Sequence, residues 1–524
     1  MTLSELLDAQ ATRFDTKAVF RFVDTGAAWT FADLAVRARR VGAQLRAIEP
    51  GARIGVLTDD RAVFCDAFFG AHARGLTPVP LGAGGVVGSP PWARVLADRV
   101  RRFGLAAVAS DPGIAAVVRT ALAGAEPDVL VVEPDGGRGD PVAFGPAAPH
   151  AFVQPSSGTT GDPKGVVVGE RALFANLRAI GEHWDLGPTD IGLSWLPLHH
   201  DMGLIGTMIN AVHLGGTLYH WPTTSFLRSP GRFLQLVDEL DVTLTVAPPF
   251  ALALISKRQQ RRPVELDLAR LRSLLVGAET IRPEVLDTFG ATFGPHGLTA
   301  TAVSPTYGLA EATLAVTANP IGTPYRIVER AGRRATACGG PLPGVEVALG
   351  AGDELLVRSP ALMDGYLDDP TATAATVVDD CLHTGDTAAI VDGQVVLTGR
   401  VKEMINRGGV RVAATDFELA VADVDGLLPD RIVAFADVGL GESGSDDSDS
   451  ASAAERVVVL AESRWTDRAG EAVLAARARL SEAGLPVDVV ELVKPGFIPR
   501  TTSGKLRRAA AREKWRAERR PSTD

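Results

Sequence analysis

Short runs rich in β-branched residues alternate with longer helical stretches along most of this 524-residue chain, and that alternation restricts the fold more than any other feature. Arg53 to Thr58, Ala106 to Ser110, Val129 to Val132, Val242 to Ala247 and Ser273 to Gly277 read as strands. The stretches between them are rich in Ala, Leu and Arg. Thr30 is placed to cap a helix whose apolar positions Leu34, Ala38, Val41 and Leu45 recur three and four residues apart. The expectation is an α/β fold, with helices layered around a largely parallel sheet. From Val345 onward the pattern becomes strand-rich with repeated glycine turns, which predicts a β-rich subdomain. After Gly399-Arg400 a compact pattern of strands and helices restarts. A chain of this length exceeds what one core organises, so two domains are expected: a large one over 1–400 and a small, mobile α+β one over 401–524. Gly439 to Glu455, dense in Ser, Asp, Gly and Ala, reads as a solvated loop within the second.

Composition excludes some partners. Lys and Arg total 53 against 63 Asp and Glu, a net charge of −10, and polyanions are bound mainly through cations that displace counterions. Nucleic acid is therefore not an expected partner. The N-terminal residues lack a basic stretch followed by an apolar one, and no segment offers about 18 uninterrupted apolar residues. No membrane span and a cytoplasmic location are expected. Cys65, Cys338 and Cys381 are far apart, odd in number and without C-x-x-C spacing, so they read as packed thiols in a reducing compartment.

The most informative segment is Gln154-Pro155-Ser156-Ser157-Gly158-Thr159-Thr160-Gly161-Asp162-Pro163-Lys164-Gly165, which reads as a loop between two strands. Its glycines let backbone amides approach an anion, while its hydroxyls and lysine add donors for phosphate oxygens. A Walker loop is excluded, because that motif runs directly into a helix with Lys-Ser/Thr. The string resembles the phosphate loop of the adenylate-forming superfamily, which includes acyl-CoA synthetases, fatty acyl-AMP ligases, luciferases and peptide-synthetase adenylation domains. The resemblance implies ATP and Mg²⁺ used to convert a carboxylic acid to its acyl-AMP, with Ser156, Ser157, Gly158, Thr159, Thr160, Gly161 and Lys164 around the phosphates.

Other signatures of that superfamily follow in order. Thr306-Tyr307-Gly308-Leu309-Ala310-Glu311-Ala312 is similar to the segment whose aromatic ring stacks on adenine and whose glutamate holds Mg²⁺. A carboxylate shared with substrate phosphates suits that hard cation. Thr384-Gly385-Asp386 and Gly399-Arg400 resemble the segments whose aspartate and arginine reach the ribose. Gly277-Ala278-Glu279 resembles the adenine-contacting loop, although Glu279 fits an exposed structural role equally well.

Ser194-Trp195-Leu196-Pro197-Leu198-His199-His200-Asp201-Met202-Gly203-Leu204-Ile205-Gly206 resembles the acid-site segment of fatty acyl-AMP ligases. The resemblance gives Trp195, His199, Asp201, Met202 and Gly203 to the acid pocket and brings His200 toward the reacting carboxylate. The role of His199 is open, since the family pattern has an aromatic residue there. Taken as neighbours on one extended segment, the two histidines point in opposite directions, which argues against a zinc site. Val246 to Leu252, with Pro248 and Phe250, is the expected opposite wall of a mostly apolar pocket.

Pro499-Arg500-Thr501-Thr502-Ser503-Gly504-Lys505-Leu506-Arg507 resembles the final superfamily signature. It implies that Lys505 is the catalytic cation between carboxylate and α-phosphate. Val401-Lys402-Glu403 resembles the hinge about which the small domain turns, with Lys402 at the pivot. The expected acceptor is a thiol, of CoA or of an acyl carrier protein's phosphopantetheine. The short gap from Ala312 to Cys338 and the segment Ile405-Asn406-Arg407-Gly408-Gly409-Val410-Arg411 are closer to CoA ligases, whereas the acid-site segment is closer to acyl-AMP ligases. A ligase releasing only acyl-AMP and a noncatalytic nucleotide-binding homologue are the alternatives, the second opposed by Glu311, Asp386, Arg400 and Lys505. An amino-acid adenylation module is disfavoured, because here the acidic residue Asp201 follows the histidine.

Overall fold

The computed structural model describes residues 1–124, 129–156, 163–330, 333–407, 410–437, 456–464, 468–500 and 506–519. The expected alternation is present. A nine-stranded sheet has six parallel strands at its centre, in the order Val303–Gly308, Ser273–Val276, Leu244–Ala247, Ile191–Ser194, Thr217–His220 and Ala18–Phe22. Antiparallel strands close both edges. A second, four-stranded sheet is wholly parallel: Thr77–Pro80, Arg53–Leu57, Leu105–Ser110 and Leu130–Val132.

Local sequence explains how the helices between these strands begin. Thr30 caps the helix Phe31–Gln44 by accepting from the Asp33 amide, while Asp33 accepts from the Thr30 amide in return. Its buried face is Leu34, Ala38 and Val41, and Leu45 beyond its end is buried as well. Asp60 caps Arg61–Arg74 by accepting from the Ala62 and Val63 amides, and Gly75 ends that helix in a left-handed conformation.

The β-rich stretch after Val345 forms an antiparallel sheet of five strands, including Glu354–Arg358, Cys381–Val391 and Gln394–Arg400. Beyond Arg400 come the hairpin Met404–Arg407 and Val410–Ala413, a three-stranded sheet, and the helices Ala414–Ala420, Ala469–Glu482 and Arg508–Arg519. Buried apolar clusters respect the same division. Three contain residues up to Leu397 and two contain residues from Ile405 onward, and none mixes the two sets. Gly439 to Glu455 lies outside the described residues.

Candidate active site

The phosphate loop is the tip of a β-hairpin. Strands Phe152–Pro155 and Gly165–Val168 pair antiparallel, with Pro155 opposite Gly165. Ser156 closes its mouth: its amide donates to the Lys164 carbonyl at 2.7 Å and its hydroxyl accepts from the Lys164 amide at 3.1 Å. Ser157, Gly158, Thr159, Thr160 and Gly161 lie outside the described residues. On one flank of the hairpin, Gly365–Tyr366 pairs with the second strand, setting Tyr366 opposite Val166. The Thr77–Pro80 strand packs against the other flank.

Three residues read from separate motifs meet in one cluster. The Tyr307 hydroxyl donates to Asp386 Oδ2 at 2.8 Å, and Arg400 Nε lies 2.8 Å from Asp386 Oδ1. Asp386 is almost fully buried, and its backbone is fixed by donation from its amide to Thr384 Oγ1 at 3.1 Å. Burial and the Asp386 charge together push the Tyr307 phenol well above its ordinary range, so it stays a donor. A carboxylate has lone pairs to spare beyond two donors, which leaves Asp386 able to accept from a sugar hydroxyl. Tyr307 and Gly308 sit at a bulge between Val303–Gly308 and Ala315–Ala318, a device that re-aims side chains. Glycine is required at 308, because a Cβ there would lie 1.8 Å from the Leu314 carbonyl oxygen.

Gly277, Ala278 and Glu279 follow the Ser273–Val276 strand. A Cβ on Gly277 would come within 2.6 Å of Thr306 Oγ1, so glycine lets the two strand ends approach. Thr306 Oγ1 in turn donates to the Val276 carbonyl at 3.2 Å. Ala278 holds φ at +70°, a costly angle for a residue with a Cβ, and such strain concentrates at functional sites.

The acid-site segment turns rather than extends. The His200 amide donates to the Pro197 carbonyl at 3.2 Å, and the helical run from Asp201 begins at once, with the Leu204 amide donating to the His200 carbonyl. The histidine rings therefore lie side by side, centroids 4.5 Å apart, and not on opposite faces as an extended segment would place them. The helical run passes through π-helical Leu204–Ile209, a form frequent at functional sites. Asp201 Oδ1 accepts from the Met202 amide, and Met202 packs on the apolar cluster that also takes Phe250. Gly203 is needed for packing: a Cβ would fall 2.3 Å from the Pro197 carbonyl oxygen. Trp195 stacks on Phe226 at 3.7 Å and meets Phe250 edge-on at 6.0 Å, so the two expected walls face each other. Pro248 precedes the helix Pro249–Arg261, which carries Phe250.

Lys402 is exposed in the 3₁₀ turn Val401–Glu403. Lys505 lies outside the described residues, but its flanks are anchored. Arg500 and Leu506 form an antiparallel bridge. Arg508 donates to Glu403 at 2.6 Å and to both oxygens of Glu418 at 2.6 Å, tying the segment after Lys505 to the turn that holds Lys402.

The AMP-binding enzyme model matches residues 7–367. The chain belongs to the AMP-binding enzyme family. Among relatives of this AMP-binding enzyme, the protein named "Putative acyl-CoA synthetase" of Caulobacter vibrioides is 30% identical over 527 residues, covering 92% of this chain and 88% of the relative. The medium-chain-fatty-acid–[acyl-carrier-protein] ligase TtuA of Teredinibacter turnerae is 28% identical over 409 residues, covering 70% of this chain and 63% of that ligase. A chain solved in a study of fatty acyl-adenylate ligases from E. coli and L. pneumophila superposes with a TM-score of 0.87 at 26% identity, covering 99% of this chain and 98% of the other.

Three residues of the AMP-binding enzyme's candidate site, Tyr366, Arg61 and Arg99, carry no motif of their own in the sequence reading. Tyr366 donates its hydroxyl to Glu311 Oε1 at 2.8 Å, and Lys164 Nζ sits 4.2 Å from the centroid of the same ring. Glu311, in the 3₁₀ turn Ala310–Ala312, thus presents an oriented carboxylate beside the phosphate hairpin, a hard oxygen donor that fits Mg²⁺. Arg61, buried, donates through Nη2 to the Leu196 carbonyl at 2.8 Å and so braces the acid-site segment. Gln154 Nε2 donates to the His199 carbonyl at 2.9 Å, joining that segment to the hairpin. Arg99, from the helix Pro90–Arg102, donates to the carbonyl of Gly82, whose Cα lies beside the His199 ring. Burial pushes the His199 imidazole well below its usual range, with His200, Arg99 and Arg61 adding to the effect. Among the described residues no helix is long and apolar enough to cross a membrane.

Proposed function

We propose that this chain activates a hydrophobic carboxylic acid with ATP, forming acyl-AMP and pyrophosphate, and then passes the acyl group to a thiol of CoA or of a carrier's phosphopantetheine. The observation that carries the reading is the Tyr307–Asp386–Arg400 cluster, because three motifs distant in sequence converge on one buried carboxylate suited to a nucleoside. A noncatalytic scaffold has no need of that convergence beside an oriented Glu311.

In the first step an acid carboxylate oxygen attacks the α-phosphorus and the β-phosphate oxygen leaves with pyrophosphate. Ser156 and Lys164 hold the mouth of the phosphate hairpin, and Asp386 accepts from the ribose. Mg²⁺, when bound through Glu311, offsets phosphate charge. Trp195, Met202, Pro248 and Phe250 enclose the apolar body of the acid, which excludes water from the mixed anhydride. Lys505 is the cation set between two anions that must meet. A unit charge about 4 Å from an anionic oxygen is worth on the order of 4 kcal/mol at an effective dielectric near 20. In the second step the thiolate attacks the acyl carbon and AMP leaves. Residues 401–524 act as the small domain turning about Lys402, a reading supported by apolar cores that stay separate on either side of it.

The acceptor is read as either thiol, since relatives named for CoA and for carrier-protein ligation both match. The test is mass spectrometry of products from pooled fatty, aryl and terpenoid acids with ATP and Mg²⁺, repeated with CoA and with a phosphopantetheinylated carrier. Acyl-AMP from at least one acid, consumed when a thiol is added, is expected. No pyrophosphate release with any acid would favour a nucleotide-binding protein.

A further inference from the structure

The phosphate hairpin has two unlike flanks. On the Tyr366 side stand Glu311 and Lys164, the groups suited to metal and phosphate. On the side facing Thr77–Pro80 is a cavity walled by Leu81, Pro155 and Pro163, whose polar lining is Arg99, His199, His200 and Ser156. Among the described residues no carboxylate lies in this lining. Arg99 Nη1 donates to the Gly82 carbonyl, and no ion pair joins the guanidinium to an acidic side chain among the described residues. The neighbouring backbone leaves room for both side chains: a Cβ on Gly82 would lie 2.8 Å from His199 Nε2, and one on Gly84 2.9 Å from Arg99 Nη2. His199 Nε2 is itself buried without a hydrogen-bond partner among the described residues.

A half-buried guanidinium with no ion-pair partner among the described residues, its neighbour Asp98 being shared with Arg101 and Arg102, is an arrangement completed by an anion in a cavity of apolar walls. The flank suited to metal and phosphate lies across the hairpin.

We propose that Arg99 is a specificity-determining residue that binds the carboxylate of the acid on this flank of the hairpin, together with His199. This rests on the acid-activating reading above and deepens it. The substrates it implies are carboxylic acids without an α-ammonium group, because a second cation beside Arg99 is repelled. Acids whose carboxylate is replaced by an amide lose the charged partner of the fork.

The experiment uses the full chain and the acid of the panel that gives the fastest pyrophosphate release, with Arg99→Gln and Arg99→Lys beside the wild type. KM is measured separately for acid, ATP and, in the reverse direction, pyrophosphate. Binding of the acid and of its primary amide is measured by calorimetry in the absence of ATP. Arg99→Gln is expected to raise the acid KM roughly 10- to 100-fold with the KM for ATP changed less than about 3-fold. The preference for carboxylate over amide should collapse, and Arg99→Lys should recover part of it. Where Arg99→Gln fails to fold, the same split read on Arg99→Lys decides, with an acid KM raised several-fold. An unchanged acid KM, or a rise confined to ATP, pyrophosphate or the thiol acceptor, overturns the proposal. Absence of turnover by the wild type with every acid would instead overturn the acid-activating reading itself.

Discussion

Tyr366 and Glu311, 55 residues apart, are joined by a 2.8 Å hydrogen bond from the phenol to the carboxylate. The strand that carries Tyr366 pairs with the strand leaving the phosphate loop, so the same backbone that positions the loop also orients the carboxylate. Burial and the Glu311 charge push the Tyr366 phenol above its usual range, which keeps it a proton donor. Removing the hydroxyl while keeping the ring leaves the Lys164 contact in place. Tyr366→Phe is therefore expected to raise the Mg²⁺ concentration for half-maximal activity roughly 3- to 10-fold, the scale of about one net hydrogen bond. Mn²⁺ binding followed by electron paramagnetic resonance, with ATP present, should weaken in parallel. Unchanged metal dependence would mean that the bond has no part in orienting Glu311.

Asp386 receives Tyr307 and Arg400 on its two oxygens. Asp386→Ala leaves the Arg400 guanidinium without its partner and removes the acceptor for a sugar hydroxyl. AMP binding, measured by calorimetry, should weaken by about 2–3 kcal/mol, or 30- to 150-fold. Tyr307→Phe deletes one neutral donor and keeps the ring, so a loss of about 1 kcal/mol is expected. Equal losses in the two variants would contradict the division of roles.

The fold class was legible because it rests on local chemistry, while the functional strings were read by resemblance to a family. Thr30 caps the helix its spacing announced, and the loop between two strands is a hairpin tip. The histidine pair was misread because orientation was taken from an extended segment, whereas the Pro197 carbonyl accepts from His200 and turns the chain. Tyr366, Arg61 and Arg99 were invisible for a different reason. Each acts through a partner supplied by topology: a strand pairing for Tyr366, a carbonyl 135 residues away for Arg61, and a loop carbonyl preceding its own helix for Arg99. No spacing along one element encodes such contacts. Tyr307, Asp386 and Arg400 were each readable by motif, but their sharing of one carboxylate was not.

Glu170 opens the helix Glu170–His183 and accepts from the Leu3 amide at 3.2 Å, in a setting where burial raises its carboxyl from 4.5 to about 7. The folded protein thus holds this proton more tightly than the unfolded chain. Its contribution to stability is complete below about pH 4.5 and is lost as pH rises through about 7. The difference amounts to about 3 kcal/mol at most. Glu170→Gln keeps an oxygen for the Leu3 amide and has nothing to ionise. Urea midpoints measured from pH 4.5 to 8 should show the variant gaining on the wild type as pH rises. A gap between the two that does not change with pH would contradict the assignment.

Acid-dependent exchange of labelled pyrophosphate into ATP reports the adenylation step directly, without the thiol. With the wild type and an accepted acid, exchange is expected to be robust and to require Mg²⁺. Lys505→Ala should lower it roughly a hundredfold or more, the scale of losing one charge in the transition state, while calorimetric ATP binding stays near normal. Near-normal exchange by Lys505→Ala would contradict the catalytic role of that lysine, and no acid-dependent exchange by the wild type would contradict adenylation itself.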